Sequence, residues 1–80
     1  MGDGELGRVL WRSRRGLLEL DLRLVPFARD RYAALGATER AAYRQLLEED
    51  DHDVLAWLSG RETAPETLAG IVAIVAAYGG

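Results

Sequence analysis

Leu18-Glu19-Leu20-Asp21-Leu22-Arg23-Leu24 is the stretch on which the fold turns. Apolar and charged residues alternate along it, the period of a half-buried strand. Taken alone, the pattern supports strand and helix about evenly. Two considerations favour helix. Leu, Glu and Arg are good helix formers, and the β-branched and aromatic residues enriched in strands are missing here. A lone strand would also leave its ladder N–H and C=O groups unpaired, and the rest of the chain offers no convincing partner strand.

Just upstream lies Arg14-Arg15-Gly16, so two guanidinium groups precede a glycine, and the carboxylates of Glu19 and Asp21 follow it. Arginine presents a planar, permanently charged fork that suits a carboxylate, a phosphate or a backbone carbonyl. Glycine has no Cβ, can take a positive φ and lets another backbone come close. If Arg15 and Glu19 share a helix, their heads meet four residues apart on one face. None of these residues is a nucleophile. The stretch therefore reads as a gripping surface rather than a catalytic one, with Arg14, Arg15, Gly16, Glu19 and Asp21 as the candidate partner-binding residues.

Working outward, residues 1–4 are expected to be frayed, and a helix is expected from Glu5 to the break at Gly16. Leu6, Val9 and Leu10 are spaced to face a core, with Trp11 beside them, while Arg8, Arg12 and Arg15 form a basic stripe on another face. Pro26 predicts a stop or kink, because it lacks an N–H and disfavours α conformation at Val25. Phe27, Ala28, Arg31, Tyr32 and Leu35 then resume helical spacing, and Gly36 suits a helix C′ position. Thr38 is a plausible N-cap for a helix over 39–48 that buries Ala42, Tyr43, Leu46 and Leu47. Asp50 or Asp51 can cap a short helix over 54–59, ended by Gly60. Thr63-Ala64-Pro65-Glu66 has the form of a capping box ahead of Leu68, Ile71, Val72 and Val75. Residues 79–80 are expected to be disordered. The sum is a single all-α domain, a compact bundle of about five helices.

Composition narrows the function classes. The chain has 80 residues, 49% of them hydrophobic and 29% charged, enough for one core and no second domain. Without cysteine there is no disulfide, thiolate metal site or cysteine nucleophile. The net charge of −3 argues against general nucleic-acid binding. The acidic start is unlike a signal peptide, and the apolar run 71–78 is shorter than the ~20 residues of a membrane span. A cytoplasmic location is expected.

Other candidate sites have plainer readings. Glu48-Glu49-Asp50-Asp51-His52-Asp53 is the one place that suggests a cation, but it lacks the EF-hand glycine and final glutamate. Helix capping already accounts for such acids, so no metal site is assigned. His52 has no serine partner in a nucleophile motif, since Ser13 and Ser59 sit in none. The arginines from Arg8 to Arg15 read as a solvated face or a mixed-charge protein surface rather than a nucleic-acid site. Trp11, Trp57 and the tyrosines read as core. No glycine-rich loop after a strand marks a bound dinucleotide.

Arg15-Gly16-x-x-Glu19 with Leu20-Asp21 and Pro26-Phe27 resembles the signature of the SdhE-type FAD assembly factors, relatives of mitochondrial succinate dehydrogenase assembly factor 2. The flanking Trp11, Arg14, Tyr32, Leu46-Leu47-Glu48, Asp50-Asp51-x-Asp53 and Trp57-Leu58 extend the resemblance over about residues 8–76. His52 departs from it, standing where the family commonly has proline. The family is all-helical, and this decides the alternating stretch in favour of helix. The resemblance further implies a non-enzymatic, chaperone-like factor. Such a factor binds the immature flavoprotein subunit of succinate dehydrogenase, and in bacteria that of fumarate reductase, and promotes covalent attachment of FAD to a histidine. On this reading the candidate residues dock beside the partner's flavin site, with Arg8 a further contributor. The factor binds no cofactor stably and is expected to be a monomer. The alternative from the residues alone is a helical regulatory module, antitoxin-like, with a different protein partner.

Overall fold

The computed structural model describes residues 2–78, and five α-helices carry most of them. They are α1 (Gly2–Ser13), α2 (Leu18–Arg31), α3 (Ala37–Leu46), α4 (Asp51–Leu58) and α5 (Glu66–Ala77). A single 3-10 turn, Tyr32–Ala34, follows α2, and there is no strand among the described residues. Met1 and residues 79–80, expected to be disordered, lie outside the described residues. The backbone of residues 2–4 belongs to α1, so that helix starts ahead of the expected Glu5.

The alternating stretch is helical, and the helix explains the alternation. Residues two apart on a helix point about 200° from each other, so the four leucines divide between opposite faces. Leu20 and Leu24 are fully buried and continue in phase with Phe27 and Ala28. Leu18 and Leu22 are 72% and 66% exposed. One helix thus carries two apolar edges, and only one is used by the core.

Pro26 does not stop α2, one of the two outcomes expected there; it lies inside the helix. The carbonyl that loses its donor is that of Leu22, on the solvent side, where water can meet it. Continuing the helix also keeps Phe27 and Ala28 in register with Leu20 and Leu24, and that burial outweighs one missing hydrogen bond.

Several expected helix ends are corrected. Gly36 has φ −68°, which is not the left-handed C′ geometry, and it serves instead as the N-cap of α3. Its N–H donates to Glu39 Oε1 at 3.1 Å, while Thr38 lies inside the helix. Thr63 does not cap α5 either. Pro65 is extended (ψ 150°) and is itself the N-cap, leaving Thr63 two residues too early. Asp50 is the cap of α4 as one of the two expected, its carboxylate accepting the His52 N–H at 2.8 Å. Gly60, at φ +78°, ends α4 as expected, with the Gly60 N–H on Trp57 O and the Arg61 N–H on Ala56 O.

Trp11 is also corrected, being 75% exposed rather than core. The buried face of α1 runs through Leu6, Val9 and Ser13, and Trp11 stands two residues from Val9, hence on the far side. Ser13 takes the core position. Its Oγ donates to Val9 O (2.8 Å) and shares a 2.7 Å hydrogen bond with Tyr43 Oη from α3. Tyr43 Oη also lies 3.3 Å from Leu24 O, so one buried phenol joins three helices. Around it, Phe27, Tyr32 and Tyr43 pack ring against ring at centroid distances of 5.5 and 5.8 Å. α1 packs chiefly on α2, and α3 on α5. The radius of gyration, 11.5 Å, matches the roughly 12 Å of a single folded domain of this length.

Candidate functional site

The connection from α1 to α2 is the centre of the candidate site. α1 stops at Ser13, with the Arg14 N–H bonded to Trp11 O at 3.2 Å, and α2 begins only at Leu18. Arg14, Arg15 and Gly16 therefore lie in a turn, not on a helix. This corrects two expectations. Arg15 and Glu19 do not share a helix face, and Arg15 does not extend the Arg8–Arg12 stripe.

Gly16 makes the turn. Its φ of +80° is the left-handed region, which other residues adopt only at a cost, and a Cβ there would meet nothing within 4 Å. The requirement for glycine comes from the backbone, and the space outside it is open. The turn is fixed from both sides. The Arg15 N–H donates to Asp21 Oδ1 at 2.7 Å, and the Asp21 N–H donates to Leu17 O at 2.9 Å. Asp21 thus folds back over the first turn of α2, where its charge also meets the positive end of the helix dipole.

The Arg15 side chain is 14% exposed and points into the protein. Nε donates to Asp51 Oδ1 (2.7 Å), Nη1 to Leu47 O (2.6 Å) and Nη2 to Glu49 O (2.7 Å). One guanidinium thereby collects two carbonyls past the end of α3 and a carboxylate in the first turn of α4. Arg12 reaches the same loop through an exposed ion pair to Glu48. Asp51 is the partner that sequence reasoning missed. The sequence offers it only as a possible cap, and the signal that points further is its adjacency to Asp50: one carboxylate suffices for the cap, leaving the other free.

The remaining candidates face outward. Two shallow clefts adjoin along α2 and share Leu22 and Pro26 as their common wall. Arg14 and Asp21 line the first, and Glu19 and Arg23 line the second, closed on its far side by Leu55 of α4 and Tyr78 after α5. The structure thus brings Arg14, Glu19 and Asp21 to one continuous face beside the exposed Leu22, with Leu18 one helical turn away. Arg15 is behind that face. Arg8 lies on α1 near Trp11 and Arg12, in a separate cleft.

Several polar groups elsewhere are used within the fold. Tyr32 Oη donates to Glu5 Oε2 (2.6 Å), which Arg44 also meets at 2.9 Å. The Tyr32 hydrogen bond, then the neighbouring arginines, hold the Glu5 carboxyl below its usual range against the opposing effect of desolvation. Asp30, held by Arg29 and then Tyr78, titrates at about 2. Burial pushes the Tyr43 phenol up to about 12. These groups sit at helix–helix contacts and do not converge with a nucleophile on the outward face.

Residues 7–78 match the protein-family model described as "Sdh5: Flavinator of succinate dehydrogenase". The chain is 49% identical to the FAD assembly factor SdhE of Pseudomonas aeruginosa over 57 residues, 71% of this chain and 68% of that protein. It is 43% identical to the factor of the same name from Pseudomonas putida over 72 residues, 89% and 86% of the two chains. With that of Legionella pneumophila it shares 37% identity over 75 residues, covering 94% and 95%. The chain belongs to the family of succinate dehydrogenase flavinators, a class of small helical assembly factors.

Proposed function

We propose that this chain is an assembly factor that binds the immature flavoprotein subunit of succinate dehydrogenase and promotes covalent attachment of FAD. The observation that carries this reading is the outward face of α2. An exposed leucine pair, Leu18 and Leu22, is flanked by Arg14 on one side and Glu19 on the other, beside a turn open to close approach at Gly16. Apolar anchors ringed by charges of both signs suit a protein partner. Fumarate reductase, whose flavoprotein subunit takes the same modification, is a second client.

The factor contributes no catalytic group. It acts by affinity. Binding that favours one domain arrangement of the partner raises the population of that arrangement, in which the partner's own groups complete the flavin linkage. Gly16 permits backbone contact, Arg14 and Glu19 supply charge-assisted hydrogen bonds, and Leu18 and Leu22 supply buried apolar area. FAD stays with the partner throughout. The factor works as a monomer in the cytoplasm, and no described helix is long and apolar enough to cross a membrane.

The test is flavinylation with purified components. Apo flavoprotein subunit and FAD are mixed with and without this protein, and covalent flavin is read as fluorescence of the denatured band. Wild type is expected to raise the signal, and Glu19→Ala and Leu22→Ser to lose most of the gain. Variants equal to wild type would move the site elsewhere. No effect of wild type would remove the function.

A further inference from the structure

We propose that Arg15 serves the docking face from behind: with Asp51 it clasps the Gly16 turn to the α3–α4 loop, and both are positioning residues of the site. The inference rests on the outward face of α2 being the docking surface. It adds a residue 36 positions away that has no place on that surface.

All three guanidinium nitrogens of Arg15 are engaged inward, at 2.6–2.7 Å, and the side chain is nearly covered. One N–H on each Nη remains unbonded, but with the side chain 14% exposed little of the head is open to a partner's carboxylate. The charges are also placed for the clasp. The cation sits at the negative end of α3 and the carboxylate at the positive end of α4, so each is favoured by a helix dipole as well as by the other. At the other end of the same residue, the backbone N–H is fixed to Asp21. Gly16 follows immediately. Its φ of +80° is therefore imposed by a residue held at both backbone and side chain, and the turn is presented outward already ordered. Preorganisation of this kind raises affinity by removing an ordering cost at binding. Lysine would not replace Arg15, since one ammonium cannot span three acceptors in a fork. The nearby Arg12–Glu48 pair joins the end of α1 to the same loop, but both side chains are about half exposed and it holds them weakly.

The test compares wild type, Arg15→Ala, Asp51→Ala and the double variant for affinity to the apo flavoprotein subunit of succinate dehydrogenase. Glu19→Ala marks the outward surface. Amide hydrogen exchange at Arg15 and Gly16 is read on each free protein, and circular dichroism checks that the helices persist. Asp51→Asn, which keeps an acceptor and loses the charge, stands in if Asp51→Ala unfolds. Asp51→Ala is expected to weaken binding about tenfold, the worth of one charge-assisted hydrogen bond. The double variant should bind no worse than Arg15→Ala, and both amides should exchange faster in Asp51→Ala. Arg15→Lys should not rescue. Wild-type binding by Asp51→Ala beside weak binding by Arg15→Ala would mean that Arg15 touches the partner directly, and overturns the proposal. Unchanged exchange in Asp51→Ala overturns it too. If wild type itself does not bind, the docking reading falls and the functional role of the clasp with it, while the exchange comparison still decides whether the clasp orders the turn.

Discussion

At the scale of single residues, the two ends of the Arg15-Gly16 pair are governed by different physics. Gly16 is required by its dihedral angle and not by crowding, since a Cβ would have open space around it. Gly16→Ala is therefore expected to lower stability by only about 1 kcal/mol, the left-handed penalty. In a domain of this size that corresponds to a melting shift of roughly 4–8 °C. Thermal unfolding followed by circular dichroism checks it, and a loss beyond this range would mean that the added Cβ meets a neighbour rather than open space. Tyr43 offers a pH test. Burial raises its pKa from 10.0 to about 12, so between these values the unfolded chain releases a proton that the folded chain retains. Stability must then fall as pH rises through that window, because the native state binds more protons than the unfolded one. Tyr43→Phe should be less stable at neutral pH, having lost the hydrogen bond to Ser13. Its stability should also decline less steeply between pH 10 and pH 12, as read from denaturant midpoints.

At the scale of elements, helix starts separate what residue type suggests from what geometry allows. Asp50, Thr38 and Thr63 are all good cap residues, yet only Asp50 stands at a cap position. Asp50→Ala is expected to cost about 1 kcal/mol, and Thr38→Ala and Thr63→Ala to fall within about 0.5 kcal/mol of wild type. Urea midpoints for the three variants decide it. The same contrast runs along α2, where leucines two residues apart have opposite fates. Leu20→Ala, at a fully buried position, should cost roughly 2–5 kcal/mol. Leu22→Ala, two-thirds exposed, should leave stability within about 0.5 kcal/mol and register instead in partner affinity. A Leu22→Ala variant that bound normally would exclude this edge from the interface.

At the scale of the molecule, five short helices enclose one aromatic centre and leave an apolar edge of α2 unused by it. The core does not use Leu18 and Leu22, and on the proposed reading they serve docking. If the factor acts by favouring one arrangement of its partner, it must bind the immature flavoprotein subunit more tightly than the mature, flavinylated one. Equal affinity for both, measured by calorimetry, would remove the conformational mechanism.

The sequence by itself determined the all-helical class, the number of helices and most of the core. Outside the alternating stretch these follow from propensity and from the recurrence of apolar residues at 3.6-residue spacing, both local properties; over residues 18–24, where the apolar period is two, the resemblance to an all-helical family decided for helix. It also marked the Arg14–Asp21 stretch as the place of interest. The tertiary structure alone decided how the residues of that stretch divide. Arg15 turns inward because α3 and α4 deliver two carbonyls and Asp51 to its head, and those acceptors are distant in sequence. Trp11 turns outward because Ser13, bonded to Tyr43, holds the core position on α1. Pro26 stays within a helix because the residues beyond it are buried in phase with those before it. In each case a non-local contact outweighed a local preference, and such contacts exist only once the chain has folded.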